Sequence, residues 1–444
     1  MDHKEGHFLN AEQLRPGVFI ILDIPWFQHS FTVSSFKVKN VAQVQELRSL
    51  KLPRYRYDPE RSDPAIDQSV NQAPLQATSQ LQTSAATEAA AIATEQPTQA
   101  SDADPAMASK RQRMAELGQW RNKVDNVERA FGKAATVMKG LNRNLLAKPK
   151  ETLEEMGEIL TEMITAFMDS PDATLHVMGD KVGGEEVYYH SLNVTILSMM
   201  LAKDLGFTAD QARELGVGAM LHDIGLIEIT DRVLKKNPDD HNSAERSLRA
   251  QHVDYGVTIG RKIGLSAHAL AVIAQHHELA DGSGFPKGAK ADQTHAAARL
   301  VACVNHYDNL CNPFDIHKAM TPHEALSFMY AKRREKFDAK VLQLMVRCLG
   351  VYPPGTLVQL SNESLAVVTA VNPKKPLRPC ILVFDPQVPK EEAIVLDLEK
   401  ETEINIVKSI RPALLTPKAA AYLNPRKRVT YFFDAGSGTA PAPG

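Results

Sequence analysis

The chain has 444 residues, 43% of them apolar, and its 51 Lys and Arg stand against 53 Asp and Glu for a formal charge of −2. That length predicts roughly three domains, and so even a balance excludes the long-range field that would gather a nucleic-acid polymer or an anionic membrane, leaving a small anionic ligand to be held locally by a metal or a few cations. Four cysteines without a CxxC pair (Cys303, Cys311, Cys348, Cys380), a polar start without a signal-peptide core, and no stretch near the ~20 apolar residues of a bilayer span lead us to expect a cytoplasmic protein with no membrane span.

Residues 8–58 alternate strand-like pieces (Gly17–Leu22, Phe31–Val38) with an amphipathic piece (Val41–Leu50), which predicts a small N-terminal α+β domain; Asp23-Ile24-Pro25-Trp26 predicts a turn carrying an aromatic anchor. Residues 59–110 are rich in Gln, Ala, Ser, Thr and Pro, and cannot bury enough apolar surface to offset the entropy of ordering, so they read as a disordered linker. From 111 to 351 the helical period dominates. Leu153–Met168, Val187–Ala202, Ala209–Met220 and Ala267–His276 place apolar residues on one face, as expected of an all-α bundle. Residues 352–434 change period again. Gly355–Leu360, Ala366–Ala370, Cys380–Phe384 and Ala393–Leu396 read as strands of a small C-terminal β domain, with Ser361-Asn362-Glu363-Ser364 as a turn, ahead of a disordered tail at 435–444. The expected fold class is therefore multidomain and mainly α.

The histidines concentrate in the helical segment. His222-Asp223 ends the apolar run Leu215–Leu221 and offers an imidazole nitrogen beside a carboxylate oxygen, two metal ligands able to share one ion or bridge two. His190 lies upstream, with Glu186 one helical turn before it on the same face. His252 follows, then His276-His277. Singly, each is more simply a hydrogen-bonded structural residue; in this order and spacing, accident is a poor explanation.

The series Tyr189-His190-Ser191, His222-Asp223-Ile224-Gly225, His252-Val253-Asp254-Tyr255-Gly256 and His276-His277-Glu278-Leu279-Ala280-Asp281-Gly282-Ser283-Gly284-Phe285-Pro286 resembles the HD-GYP family, a branch of the HD phosphohydrolases, over roughly residues 170–345. Leu14-Arg15-Pro16-Gly17 and Pro25-Trp26 resemble the small domain of unknown function often fused ahead of such modules. The resemblance implies a helical bundle with two or three divalent ions, commonly Fe or Mn, that hydrolyses cyclic di-GMP to the linear dinucleotide or GMP. It implies His190, His222, Asp223, His252, His276 and His277 as ligands, Glu186 as the extension to a third metal, and Asp223 as the bridging carboxylate, forming the catalytic pair with His222. Asp281, Gly282, Gly284, Phe285 and Pro286 become the substrate loop, which in the family has been linked to GGDEF-type cyclase partners.

The sequence departs from that pattern in four places. Asn305 replaces the closing Asp ligand and leaves a weaker, neutral donor, for which Asp308 (otherwise a support behind the ligands) or His306 are the nearby candidates to compensate; His306 points away if the segment is helical. Leu226 stands where a phosphate-binding Lys is usual. Asn312-Pro313-Phe314-Asp315 replaces an Arg-Pro-Tyr-Arg stretch, and Val253 replaces a Pro. Two function classes follow: an active metal-dependent phosphodiesterase, weakened or redirected, and a catalytically silent regulatory or protein-interaction module on the same core.

Overall fold

The computed structural model describes residues 7–24, 29, 31, 35–63, 129–141, 144–165, 167, 174–177, 188–371, 375–386, 388, 390, 393–423 and 429–434. Pro25 and Trp26, Glu186, most of the linker and the tail lie outside them. The chain divides into two compact units, one holding the N-terminal residues with Asp385–Ala393, the other spanning Gln119–Phe384 and Ile394–Gly444.

In the first unit, β1 (His7–Leu9), β2 (Phe19–Ile21), β3 (Ser35–Lys37) and β4 (Tyr55–Asp58) form an antiparallel sheet in the order β1-β4-β2-β3. Helix α1 (Val41–Ser49) starts where the Asn40 side chain accepts from Gln43 N, and it is tied to β4 by the buried Tyr55 hydroxyl, which donates to Leu47 O at 2.6 Å. Alternation along β4 buries Tyr55 and Tyr57 and leaves Arg56 and Asp58 part-exposed. The small α+β reading holds, with β1 and β4 as additions to the two strands expected.

The second unit is a helical bundle joined to a sheet. Its helices are α2 (129–141), α3 (Pro149–Ile164), α4 (Tyr188–Ala202), α5 (Ala209–Met220), α6 (Asp231–Leu234), α7 (Ser243–Ala250), α8 (His252–Lys262), α9 (Ala267–Gln275), α10 (Ala296–Cys311), α11 (Pro322–Lys332) and α12 (Ala339–Leu349), followed after the sheet by α13 (Pro417–Leu423). Helix α4 is apolar on every side, so it can only run through the core: Leu192, Ile196, Leu197 and Met199 are all inaccessible. Helix α10 packs beside it and buries Leu300, Val301 and Val304, each contributing about 1.5–3 kcal/mol of burial. Caps set the ends: Thr208 and Gln211 close a capping box on α5, Ser266 caps α9, and Thr321 with Glu324 boxes α11 ahead of Pro322.

The sheet is antiparallel throughout. Strands β10 (Ile406–Ile410), β6 (Leu357–Leu360), β7 (Leu365–Ala370), β5 (Thr174–Val177) and β11 (Tyr431–Asp434) lie in that order, and β8 (Cys380–Val383) joins β7 to β9 (Ile394–Asp397). Residues 361–364 make the expected turn between β6 and β7, with Glu363 at φ 66°. Strand β5 falls inside the stretch read as all-helical: its partners are 190 and more positions downstream, a pairing that no local period reveals.

Candidate metal centre

Five imidazoles and one carboxylate converge from four pieces of chain. His190 stands in the first turn of α4, His222 and Asp223 in the turn after α5, His252 at the start of α8, and His276 and His277 in the turn after α9. Donor atoms of Asp223, His252, His276 and His277 lie within 4.8 Å of one another, and so do those of His190, His222 and Asp223. Asp223 belongs to both groups. Its Oδ2 is 3.5 Å from His222 Nε2 and 3.9 Å from His190 Nε2, while Oδ1 is 3.3 Å from His252 Nε2 and 3.6 Å from His276 Nε2. Each carboxylate oxygen faces one group, which is the posture of a bridging ligand.

The rings are aimed by what their other nitrogen does. Nδ1–H donates to the carbonyl three residues earlier in His222 (Ala219, 2.7 Å), His252 (Arg249, 2.6 Å) and His276 (Ile273, 2.8 Å). A neutral ring that donates from Nδ1 keeps its lone pair on Nε2. His190 instead holds Nδ1 2.6 Å from Asp308 Oδ2. The inward nitrogens then meet in pairs, His190 with His222 and His252 with His276, each Nε2···Nε2 at 3.3 Å. Two lone pairs at that distance repel, so each pair closes only around a positive charge, a proton or a metal ion. The spacing also suits a metal, because ligand atoms ~2.1 Å from an ion sit ~3.0 Å apart in an octahedron and ~3.4 Å in a tetrahedron. A set dominated by imidazole fits transition-metal ions and not Mg²⁺ or Ca²⁺, which take oxygen ligands.

The electrostatics agree. Burial pulls His222 down to about 3 and holds His277 well below its usual range, so both are neutral donors near pH 7. Burial also opposes charge on His190, but the hydrogen bond and charge of Asp308, with Asp223, outweigh it and raise its pKa. Burial pushes the Asp223 carboxyl up, and the surrounding imidazoles pull it further the other way, well below the carboxylate range.

Two glycines let the backbone come close enough. A Cβ on Gly225 would stand 1.9 Å from His252 O and 2.5 Å from Gly256 N, so only glycine lets the turn carrying His222 and Asp223 press against α8. A Cβ on Gly284 would stand 2.4 Å from His277 O, and this contact brings the loop back over the histidine doublet. There Phe285 stacks on His277 with centroids 4.3 Å apart, and the residue is 36% exposed. Asp281 accepts from Ser283 N and Oγ and faces Lys336, and Pro286 follows Phe285 through a cis peptide.

At the altered positions, Asn305 is buried on α10, and its Oδ1 accepts from Asn309 Nδ2 at 2.6 Å. Asp308 does not take over as a ligand: it lies behind His190, its Oδ1 accepting from Asn193 at 2.8 Å and Asn312 at 2.9 Å. His306 packs on Phe337 with centroids 5.1 Å apart, and burial lowers it to about 4. Leu226 lies in the short turn Ile224–Glu228, Asp315 caps His317 N, and Lys318 is paired with Asp239. Sequence reading gave no role to Glu278, which is buried and accepts from Lys287 N at 2.7 Å and Ala289 N at 2.8 Å, pinning the loop. An acidic residue between a His doublet and a glycine-rich turn is the signal that could have found it.

Comparison with known proteins matches residues 141–341 to an HD domain, residues 8–156 to a domain of unknown function (DUF3391), and residues 357–417 to a KOW domain associated with HD domain. The chain is 29% identical over 290 residues to "Cyclic di-GMP phosphodiesterase PA4108" of Pseudomonas aeruginosa, covering 63% of this chain and 69% of that one. It is 27% identical to "Cyclic di-GMP phosphodiesterase response regulator RpfG" of Xanthomonas campestris over 47% of this chain and 52% of that one, and 26% identical to "3'3'-cGAMP-specific phosphodiesterase 2" of Vibrio cholerae over 46% and 36%. Among solved structures it is similar to an HDG"Y"P protein from Bdellovibrio bacteriovorus, with TM-score 0.34 and 16% identity, covering 77% of this chain and 98% of that one. No helix among the described residues is long and apolar enough to cross a membrane.

Proposed function

For a chain that carries an HD domain, with a DUF3391 domain ahead of it and an HD-associated KOW domain behind, we propose a metal-dependent phosphodiesterase that hydrolyses cyclic di-GMP to the linear dinucleotide or GMP. The observation that carries this reading is the pair of ligand groups sharing Asp223. The names of the relatives, all cyclic-dinucleotide phosphodiesterases, support the substrate class. We assign one ion to His190, His222 and Asp223, and one to Asp223, His252, His276 and His277. Fe or Mn is our choice of metal, and Glu186 the candidate for a third ion.

When bound, divalent ions cancel phosphodiester charge and acidify water at neutral pH. The protein's own residues do the rest. Neutral His222 and His277 and ionised Asp223 present donors without first shedding protons. Asp308 fixes the direction of His190. Phe285, stacked on His277 and part-exposed, offers an aromatic ring beside the site on which a nucleobase can stack. The test is metal analysis paired with chromatography of nucleotide products after incubation with Mn or Fe. Bound metal with no linear dinucleotide and no GMP refutes turnover of this substrate.

Asn305, Leu226 and Asp315 favour a second reading, a regulatory module on the same core. An amide held by Asn309 replaces a carboxylate, and three cations that would meet the dinucleotide are missing, one at position 226 and two in the 312–315 stretch. The double change Asn305→Asp with Leu226→Lys separates the readings. Activity appearing only in the variant supports the silent module; an active wild type little changed by it supports the enzyme. We assign the Asp281–Pro286 loop as the surface for a GGDEF-type cyclase, testable by pull-down with and without Phe285→Ala. We place the protein in the cytoplasm, with which its four free cysteines agree.

A further inference from the structure

The buried polar groups behind His190 do not end at Asp308. Asn193, one helical turn after His190 on α4, donates from Nδ2 to Asp308 Oδ1 at 2.8 Å and to Val429 O at 2.9 Å, and its Oδ1 accepts from Tyr431 N at 2.9 Å. Asn312, at the end of α10, repeats the pattern: Nδ2 donates to Asp308 Oδ1 at 2.9 Å and to Val429 O at 2.8 Å, and Oδ1 accepts from Val429 N at 2.7 Å. The Tyr431 hydroxyl meets that of Tyr307 at 2.9 Å, one residue from Asp308. Asp308, Tyr307 and Tyr431 are inaccessible and Asn193 is 1% exposed.

Two amides thus span the same gap, each joining the Asp308 carboxylate to the backbone that leads into β11. Such doubling is not needed to satisfy Asp308, which already has His190. It fixes where the carboxylate sits relative to strand β11, which is paired in turn with β5. We propose that residues 429–431 are the back wall of the metal centre, with Asn193 and Asn312 as positioning residues that set Asp308 and, through it, the direction of His190 Nε2. The C-terminal strand is then a working part of one ion site and not of the other: it reaches His190, while His252 and His276 are anchored by local carbonyls. This inference rests on the two-ion reading above.

The experiment is a chelator titration of the full chain loaded with Mn²⁺, counting ions per chain, in wild type and Asn312→Ala. The variant is expected to release one ion at a chelator concentration at least tenfold lower while the other leaves as in wild type, in line with the ~10–100-fold effect of losing a group that orients a ligand. Linkage supplies a second measurement on the unaltered protein. If the segment positions the ligand, metal must order the segment, so the Val429 and Tyr431 amides should exchange hydrogen at least tenfold more slowly in the loaded form. Loss of both ions together, or of neither earlier than in wild type, overturns the proposal, as does metal-independent exchange at 429–431. A wild type that holds no ion at all sinks the metal reading itself.

Discussion

Gly225→Ala tests the close packing that assembles the centre. The new methyl would lie 1.9 Å from His252 O and 2.5 Å from Gly256 N, both backbone atoms, so no side chain can rotate out of the way. The turn carrying His222 and Asp223 and the start of α8 must separate by about 1.5 Å to bring the 1.9 Å approach out to ordinary contact. Overpacking of this kind costs typically 1–3 kcal/mol, and a backbone-to-backbone clash belongs at or above the upper end. At ~2–4 °C per kcal/mol for a unit of this size, 3 kcal/mol lowers Tm by roughly 6–12 °C. The same displacement carries Asp223 Oδ1 away from His252 Nε2, now 3.3 Å apart, so metal is lost along with stability. Calorimetry and metal analysis on wild type and variant read both effects. A Gly225→Ala protein with unchanged Tm and full metal content would refute the claim that this contact holds the two halves of the site together.

Asp223→Asn should strip both ions, because one carboxylate serves both groups, whereas His277→Ala should strip only the one it shares with His252 and His276; ion counts by mass spectrometry distinguish the two. Removing metal from protein held at about 100 times Kd should cost ~2.7 kcal/mol of stability per ion, seen as a fall in Tm on adding a chelator and its recovery on adding Mn²⁺. Glu278→Gln replaces two charge-assisted bonds to Lys287 N and Ala289 N with one acceptor and one opposed donor, at about 1.5–3 kcal/mol, so trypsin should cut after Lys287 and Lys290 faster in the variant. Equal cleavage rates would show that the loop does not depend on Glu278.

What the sequence made legible was the chemistry carried by adjacent residues. His222 beside Asp223, His276 beside His277, and His252 at the head of a helix announce themselves because ligand type and local order are both written in a few positions. The helices could be read for the same reason, and Ala209–Met220 runs between the very residues its apolar period predicts. Asp308 was legible as a candidate support because it lies on the same short stretch as Asn305, but its partner was not, since it meets His190 across 118 positions. The groups that hold Asp308 were not legible at all: Asn193 meets Tyr431 across 238 positions, and an isolated Asn carries no pattern that points to so distant a partner. Strands β5 and β11 were missed for a related reason: four residues each, they gain their stability from one another and not from a local period.

Because the carboxylate behind His190 leans on residues 429–431, the centre is a high-contact-order structure, and its parts become available at very different times during synthesis. His190, His222, His252 and His277 can be folded before Val429 has left the ribosome, yet the brace for one of the two proposed ion positions is still missing. A nascent chain would therefore hold a half-built centre, ready at the histidine doublet and loose at His190, until the closing strand docks. Completion of the metal site would then serve as a chemical report that the whole of this unit has folded.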